Sequence, residues 1–168
     1  MSIPRRILLR VPNWVGDAVM ATPALRALRA AHPAAEIVLE GPPHLESLYR
    51  GLPHHDSFAA APRGARAVWA RARELRAMAF DWALLLPDSA RAAAAPFLAG
   101  VPRRLGYARD PLRRIFVSES LPPPRDRSGR RRPIPMIERY LALTRALGCP
   151  DAGDTLELKV AAADAAIV

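Results

Sequence analysis

Ile7-Leu8-Leu9-Arg10-Val11-Pro12-Asn13-Trp14-Val15-Gly16-Asp17 is the stretch on which the reading of this chain turns. Four of its first five residues are apolar, a short run of the kind a buried strand shows, and Pro12 stops it. Over residues 15–31 the pattern becomes helical, with Val15, Val19, Leu25 and Leu28 near one face. A strand, a tight loop and a helix in that order place residues 13–17 at the carboxyl end of a strand. Open α/β sheets gather their ligands there. Gly16 has no Cβ and lets a ligand or a second backbone come close. Asp17 falls in the first helical turn, where the partial positive charge of the helix end favours an ionised carboxylate. Two readings stay open for it. It caps the helix, as Asp often does, or it accepts a proton from a bound hydroxyl.

The rest of the chain alternates strand and helix. Ile37-Val38-Leu39-Glu40 predicts a second strand, ended by Gly41-Pro42-Pro43. A short helix follows over 44–50, and Ser57-Phe58 marks a weak third strand. Residues 65–80 predict an amphipathic helix with Ala65, Val68, Trp69, Ala72, Leu75 and Ala79 on one face. Residues 81–86 predict a fourth strand, stopped by Pro87. Ser89 caps a helix that ends at Gly100, and Pro96 is expected to kink or split it. Arg104-Leu105-Gly106-Tyr107 predicts a fifth strand. Residues 121–135 carry Pro122-Pro123-Pro124 and an arginine-rich run, and predict a mobile loop. An amphipathic helix resumes over 135–147, and Leu156, Leu158 and Val160 alternate as a strand does. The repeated order argues for the α/β class, a Rossmann-like parallel sheet flanked by helices with right-handed crossovers.

At 168 residues and 51% hydrophobic, the chain suits one folded domain. Cys149 is the single cysteine, so no internal disulfide forms. The apolar run near the start is too short for a signal peptide, and no stretch is long enough to span a bilayer. A cytoplasmic location is expected. The net charge is +9, and Lys159 is the only lysine, so arginine carries nearly all the positive charge. Arginine suits bidentate recognition of phosphate and carboxylate. Nucleic acid, anionic membrane and a phosphorylated saccharide all satisfy that charge. Aromatic residues are sparse at 6% and are not interleaved with the arginines as in single-strand binders. Neither a Gly-x-Gly-x-x-Gly loop nor a Gly-Lys-Ser/Thr phosphate loop occurs, which argues against a dinucleotide or ATP site. His44, His54 and His55 lack the carboxylate and cysteine company of a metal site, and no metal is expected.

Three further groups offer chemistry. Pro87-Asp88-Ser89-Ala90-Arg91 follows the fourth strand, on the same sheet edge as Asp17, and reads as a helix cap or as a polar site with Ser89 and Arg91. Arg103 and Arg104 read as a solvated strand edge or as charge for a cleft. Arg130, Arg131 and Arg132 read as a solvated loop or as a clamp that orders on phosphate.

The string from Ile7 to Leu25, the block from Leu84 to Tyr107 and Met136-Ile137-Glu138-Arg139-Tyr140-Leu141-Ala142-Leu143 together resemble glycosyltransferase family 9, the heptosyltransferases. The resemblance covers nearly the whole chain but only the amino-terminal half of the family's pattern. It implies the N-terminal, acceptor-side half of a GT-B fold over residues 1–160, with 161–168 opening a linker toward a second domain. It implies transfer of heptose from ADP-L-glycero-D-manno-heptose to the inner core of lipopolysaccharide, with ADP-heptose as donor substrate and no resident cofactor. Asp17 then matches the family's general base. Asn13, Trp14, Gly16, Ser89, Arg91, Arg103, Arg104 and Arg130–Arg132 become the acceptor-binding candidates. A peripheral contact with the cytoplasmic face of the inner membrane is also implied, and the isolated chain is expected to be inactive. The family often has Asn where this chain has Asp88, which argues against Asp88 touching an anionic acceptor. The alternatives are an arginine-rich, non-enzymatic module for nucleic acid or anionic membrane, and a family 9 enzyme with another acceptor.

Overall fold

The computed structural model describes residues 3–108, 111–122, 128, 130 and 132–159. Its centre is one parallel sheet of β1 (Arg6–Arg10), β2 (Glu36–Gly41), β3 (Ser57–Ala60), β4 (Trp82–Leu85), β5 (Arg103–Tyr107) and β6 (Glu119–Leu121). The strands lie in the order β3-β2-β1-β4-β5-β6, and the Rossmann-like parallel sheet read from the sequence is what forms. The helices are α1 (Val15–Met20), α2 (Thr22–Ala31), α3 (Glu46–Tyr49), α4 (Ala65–Met78), α5 (Ala90–Ala99), α6 (Pro111–Phe116) and α7 (Met136–Ala146).

Strand alternation divides the core in two. Ile7, Leu9, Ile37 and Leu39 pack with Leu25 and Leu28 of α2 and Leu143 of α7 on one face. Leu8, Val38, Ala83 and Leu85 pack with Val68 and Leu75 of α4 and Ala93 of α5 on the other. The chain therefore leaves β1 toward one face and leaves the adjacent β4 toward the other. Those two loops part at the carboxyl edge and open a crevice there.

Several expectations need correction. The helix over 15–31 is two helices meeting at Ala21. Pro23 has no N–H for the Val19 carbonyl four residues back, and the Thr22 hydroxyl donates to that carbonyl instead, at 2.8 Å. Pro96 does not split α5, which runs unbroken from its Ser89 cap to Gly100 at φ 77°. Packing against α4 and α6 outweighs the one backbone bond a proline removes. Trp69 is 60% exposed, not on the buried face of α4, because Val68, Ala72 and Leu75 define that face. Leu121 closes β6 and does not open a loop. Leu156 and Leu158 are not in a strand. Arg26 draws that segment against α2, donating to the carbonyls of Ala152, Gly153 and Thr155 and pairing with Glu157. Val160 and residues 161–168, read as the start of a linker, lie outside the described residues.

The ionisable groups predict acid lability. Burial lowers the His32 and His55 pKa below the ordinary 6.5. Burial alone raises Asp56, but the Ile37 amide and the Arg29 guanidinium hold it below the usual carboxylate range. Burial likewise raises Glu157, and Arg26 and His54 pull it down. All four bind protons more weakly folded than unfolded. Their contribution is whole above about pH 6.5 and is lost as pH falls, first through the histidines and then through the acids. The thermal midpoint is expected to drop steadily from pH 7.5 to pH 4, and a flat profile contradicts this.

Candidate active site at the carboxyl edge of the sheet

A cleft of about 700 Å³ opens at the carboxyl edge. The loop after β1 supplies Asn13, Trp14 and Val15, and the end of β2 supplies Glu40, Pro42 and His44. The segment after β3 supplies Arg63, and the start of α5 supplies Ser89 and Arg91. Arg10 lies at the floor. The volume suits a small molecule or a saccharide end more than a nucleic-acid duplex.

Trp14 is 77% exposed, and Val15 beside it is 53% exposed. Such large apolar side chains on the rim of a polar cleft offer a face for a ring to lie on. Gly16 is exposed, and a Cβ built there would meet nothing within 4 Å. The fold therefore has no packing reason for this glycine. Gly16→Ala is expected to leave stability within about 0.5 kcal/mol of the parent. Thermal unfolding checks this, and a larger loss contradicts it.

Asp17 does not line the arginine cleft. It lies half-buried in the first turn of α1, past Gly16, toward α7. No side-chain cap bond forms at the start of α1, so the capping reading of Asp17 is not what the structure shows. Tyr140 of α7 faces it. Burial first, and then the negative charges of Asp17 and Asp88, raise the Tyr140 pKa, so this phenol stays protonated as a donor. Asp88 is held by Arg139 at 2.7 Å, and the Arg139 guanidinium also lies over the Tyr107 ring at 4.7 Å. The extra negative charge at Asp88 thus has its own cation and is not left facing a ligand.

Ser89 caps α5 by accepting from the Ala92 amide at 3.3 Å, and Arg91 is exposed in the first turn. Arg103 and Arg104 are placed elsewhere. They open β5, at the amino edge of the sheet opposite the cleft. Arg103 stacks on Trp82 and pairs with Glu119 at 2.6 Å, and Arg104 donates to the Phe116 carbonyl at 2.8 Å. Their charge is used in holding strands together and does not reach the cleft. Arg130 and Arg132 are exposed, and Arg131 lies outside the described residues.

Sequence reasoning missed Arg10, Glu40, Arg63, Arg71 and Arg113. Arg10 and Glu40 are register partners at the ends of two adjacent strands, a position where charge is costly without a purpose. That pairing is the signal that could have found them. Arg113 is wholly buried and donates to the carbonyls of Ser89, Pro87 and Tyr107. It fixes the loop that carries Ser89 and Arg91.

No family model matches the chain. The chain is 32% identical over 150 residues to lipopolysaccharide heptosyltransferase 2 of Escherichia coli strain K12, covering 82% of this chain and 39% of that protein. It is 32% identical over 143 residues to the Salmonella typhimurium protein of the same name, with the same coverage. The chain is a homologue of the glycosyltransferase family 9 heptosyltransferases. It spans about two-fifths of the length of these curated relatives. The solved E. coli ADP-heptose LPS heptosyltransferase II superposes with a TM-score of 0.71 at 27% identity, over 94% of this chain and 47% of that one. A glycosyl transferase family 9 structure from Veillonella parvula shares the fold, with a TM-score of 0.77 at 21% identity over 96% of this chain and 47% of that one. This partial coverage fits an amino-terminal domain.

Proposed function

We propose that this chain is the acceptor-side domain of a heptosyltransferase that moves heptose from ADP-L-glycero-D-manno-heptose to the lipopolysaccharide inner core. A second domain holds the donor, as the two-domain resemblance implies. The observation that carries this reading is Asp17 on α1 beside an arginine-lined cleft, in a chain 32% identical to such a transferase.

The acceptor saccharide lies in the cleft with its acidic groups toward Arg63 and Arg91, and one ring rests on Trp14. It crosses the low point at Gly16 and brings one hydroxyl to Asp17. That oxygen attacks the anomeric carbon of the donor, and the carbon–oxygen bond to ADP breaks. The bonding pair leaves with ADP, the hydroxyl proton passes to the Asp17 carboxylate, and the configuration at the anomeric carbon inverts. Tyr140, kept protonated by burial and by the nearby Asp17 charge, adds no competing negative charge beside that carboxylate. The test is a fusion of this domain to the carboxyl-terminal half of the E. coli relative, assayed with ADP-heptose and heptose-deficient lipopolysaccharide. Transfer supports the reading, and a folded fusion that binds ADP-heptose but transfers nothing contradicts it.

Contact with the membrane that carries such an acceptor falls to α4. Arg66, Trp69 and Arg73 are exposed and lie at helical spacing on one side of it. Trp favours the headgroup level, and each arginine near an anionic surface contributes roughly 1 kcal/mol. Arg66→Glu with Arg73→Glu is expected to lower binding to phosphatidylglycerol-containing vesicles at least about tenfold. Unchanged co-sedimentation contradicts this contact. Among the described residues no helix is long and apolar enough to cross a membrane.

A further inference from the structure

Arg10 and Glu40 point from β1 and β2 toward the α4 and α5 face, on the same side as Leu8 and Val38. Glu40 is 1% exposed and Arg10 is 8% exposed. Arg71 of α4 grips Glu40 at 2.7 Å, and Arg10 lies 3.8 Å from the other oxygen of that carboxylate. Arg10 also donates to the Glu40 carbonyl at 3.0 Å. Arg71 reaches outward to Glu74 at 2.8 Å, yet its Nη2 is buried without a hydrogen-bond partner among the described residues.

The charges do not balance. Burial lowers the Arg10 pKa, Glu40 opposes that, and the positive charges of Arg91 and Arg71 lower it further. Arg10 and Arg71 thus share one buried carboxylate, and Arg91 lies close enough to Arg10 to add a third positive charge there. Among the described residues Arg91 and Arg63 form no ion pair, and both face the cleft. A buried guanidinium crowded by exposed cations of the same sign is stabilised by an anion that enters between them.

We propose that this end of the cleft is a phosphate pocket, with Arg10, Arg63 and Arg91 as its ligands and the Arg71–Glu40 pair fixing Arg10 beneath. The cations approach from three elements, β1, α5 and the segment before α4. A tetrahedral dianion presents oxygens in several directions and satisfies that arrangement, whereas a carboxylate presents two oxygens in one plane and is met by a single arginine fork. A cleft of about 700 Å³ suits a terminal phosphate group better than a duplex backbone. Assigning the phosphate to a sugar of the acceptor rests on the function proposed above, but the pocket itself does not.

The experiment is calorimetric titration of the 168-residue chain, at fixed ionic strength, with inorganic phosphate, glucose 6-phosphate, acetate and glucose. Saturable one-to-one binding of both phosphates, without binding of acetate or glucose, is expected. Arg91→Ala, an exposed site that leaves the core untouched, is expected to weaken phosphate about tenfold, as loss of one charge-assisted contact does. Arg103→Ala, on the opposite sheet edge, is expected to leave phosphate affinity unchanged in the folded chain. Equal binding of acetate, or phosphate affinity indifferent to Arg91→Ala, overturns the pocket. Phosphate binding that exceeds glucose 6-phosphate binding at least tenfold assigns the pocket to the free ion and overturns the acceptor assignment. No donor is present in these titrations, so phosphate binding with a fusion that fails to transfer overturns only the heptosyltransferase reading.

Discussion

Asp17→Ala, in this domain fused to the carboxyl-terminal half of the E. coli relative, is expected to lower heptose transfer about 100- to 10,000-fold. That range is what a positioned general base contributes when it takes a proton in the transition state. The structure makes this a clean experiment. The Asp17 side chain makes no hydrogen bond or ion pair among the described residues, so its removal breaks no polar pairing of the fold. Only the favourable placement of a carboxylate in the first turn of a helix is lost, about 0.3–1 kcal/mol. Activity should therefore collapse while the thermal midpoint moves by about 3 °C or less. Asp17→Asn keeps the shape and removes the proton acceptor, and it should be as slow. Near-normal turnover by either variant refutes the base assignment. Equal losses of rate and stability would make Asp17 a structural residue.

Arg113→Met is expected to give the largest stability loss of any single change near the site. Arg113 is wholly buried and donates to three carbonyls, at 2.6 Å to Ser89, 2.9 Å to Pro87 and 3.3 Å to Tyr107. Hydrogen bonds to a charged group are worth about 1.5–3 kcal/mol each, and the carbonyls left behind are buried. Part of that sum is returned because a guanidinium no longer needs desolvation. A net loss of about 3–5 kcal/mol, near 10 °C in a chain of this length, is expected in thermal unfolding. Arg114→Met, its exposed neighbour, should cost under about 0.5 kcal/mol. Similar midpoints for the two variants contradict this account of the loop. Because Arg113 steadies the segment bearing Ser89 and Arg91, its loss should also blunt phosphate binding.

What was legible in the sequence follows from local physics. Continuous apolar runs over Ile7–Leu9 and Ile37–Leu39 mark strands buried on both faces, and the Ser89 cap with Gly100 past the end bounds α5 correctly. Asp17 was placed in the first turn for the same reason. The misses have physical causes too. Arg103 and Arg104 lie next to Gly106-Tyr107 in sequence, but residues that open a parallel strand sit at the edge opposite to the residues that follow one. Pro23 removes a donor from the Val19 carbonyl without interrupting the apolar spacing, so the pattern runs from α1 into α2 as if through one helix. The strand Glu119–Leu121 is short, and its first two residues are polar and exposed, so no alternation marks it. Arg10, Glu40 and Arg71 come from three separate elements, and only pairing of β1 with β2 under α4 brings them together. The relation of Asp17 to Tyr140 spans more than 120 residues and has no local signature.

On the proposed function, this chain is the side of the enzyme that receives the acceptor. The deciding measurement is titration of the purified chain with delipidated inner-core saccharide, with ADP-heptose and with duplex DNA, each at several salt concentrations. Saturable one-to-one binding of the saccharide, no binding of ADP-heptose and only weak, salt-sensitive binding of DNA are predicted. Tight DNA binding with a steep salt slope and no affinity for the saccharide would contradict it.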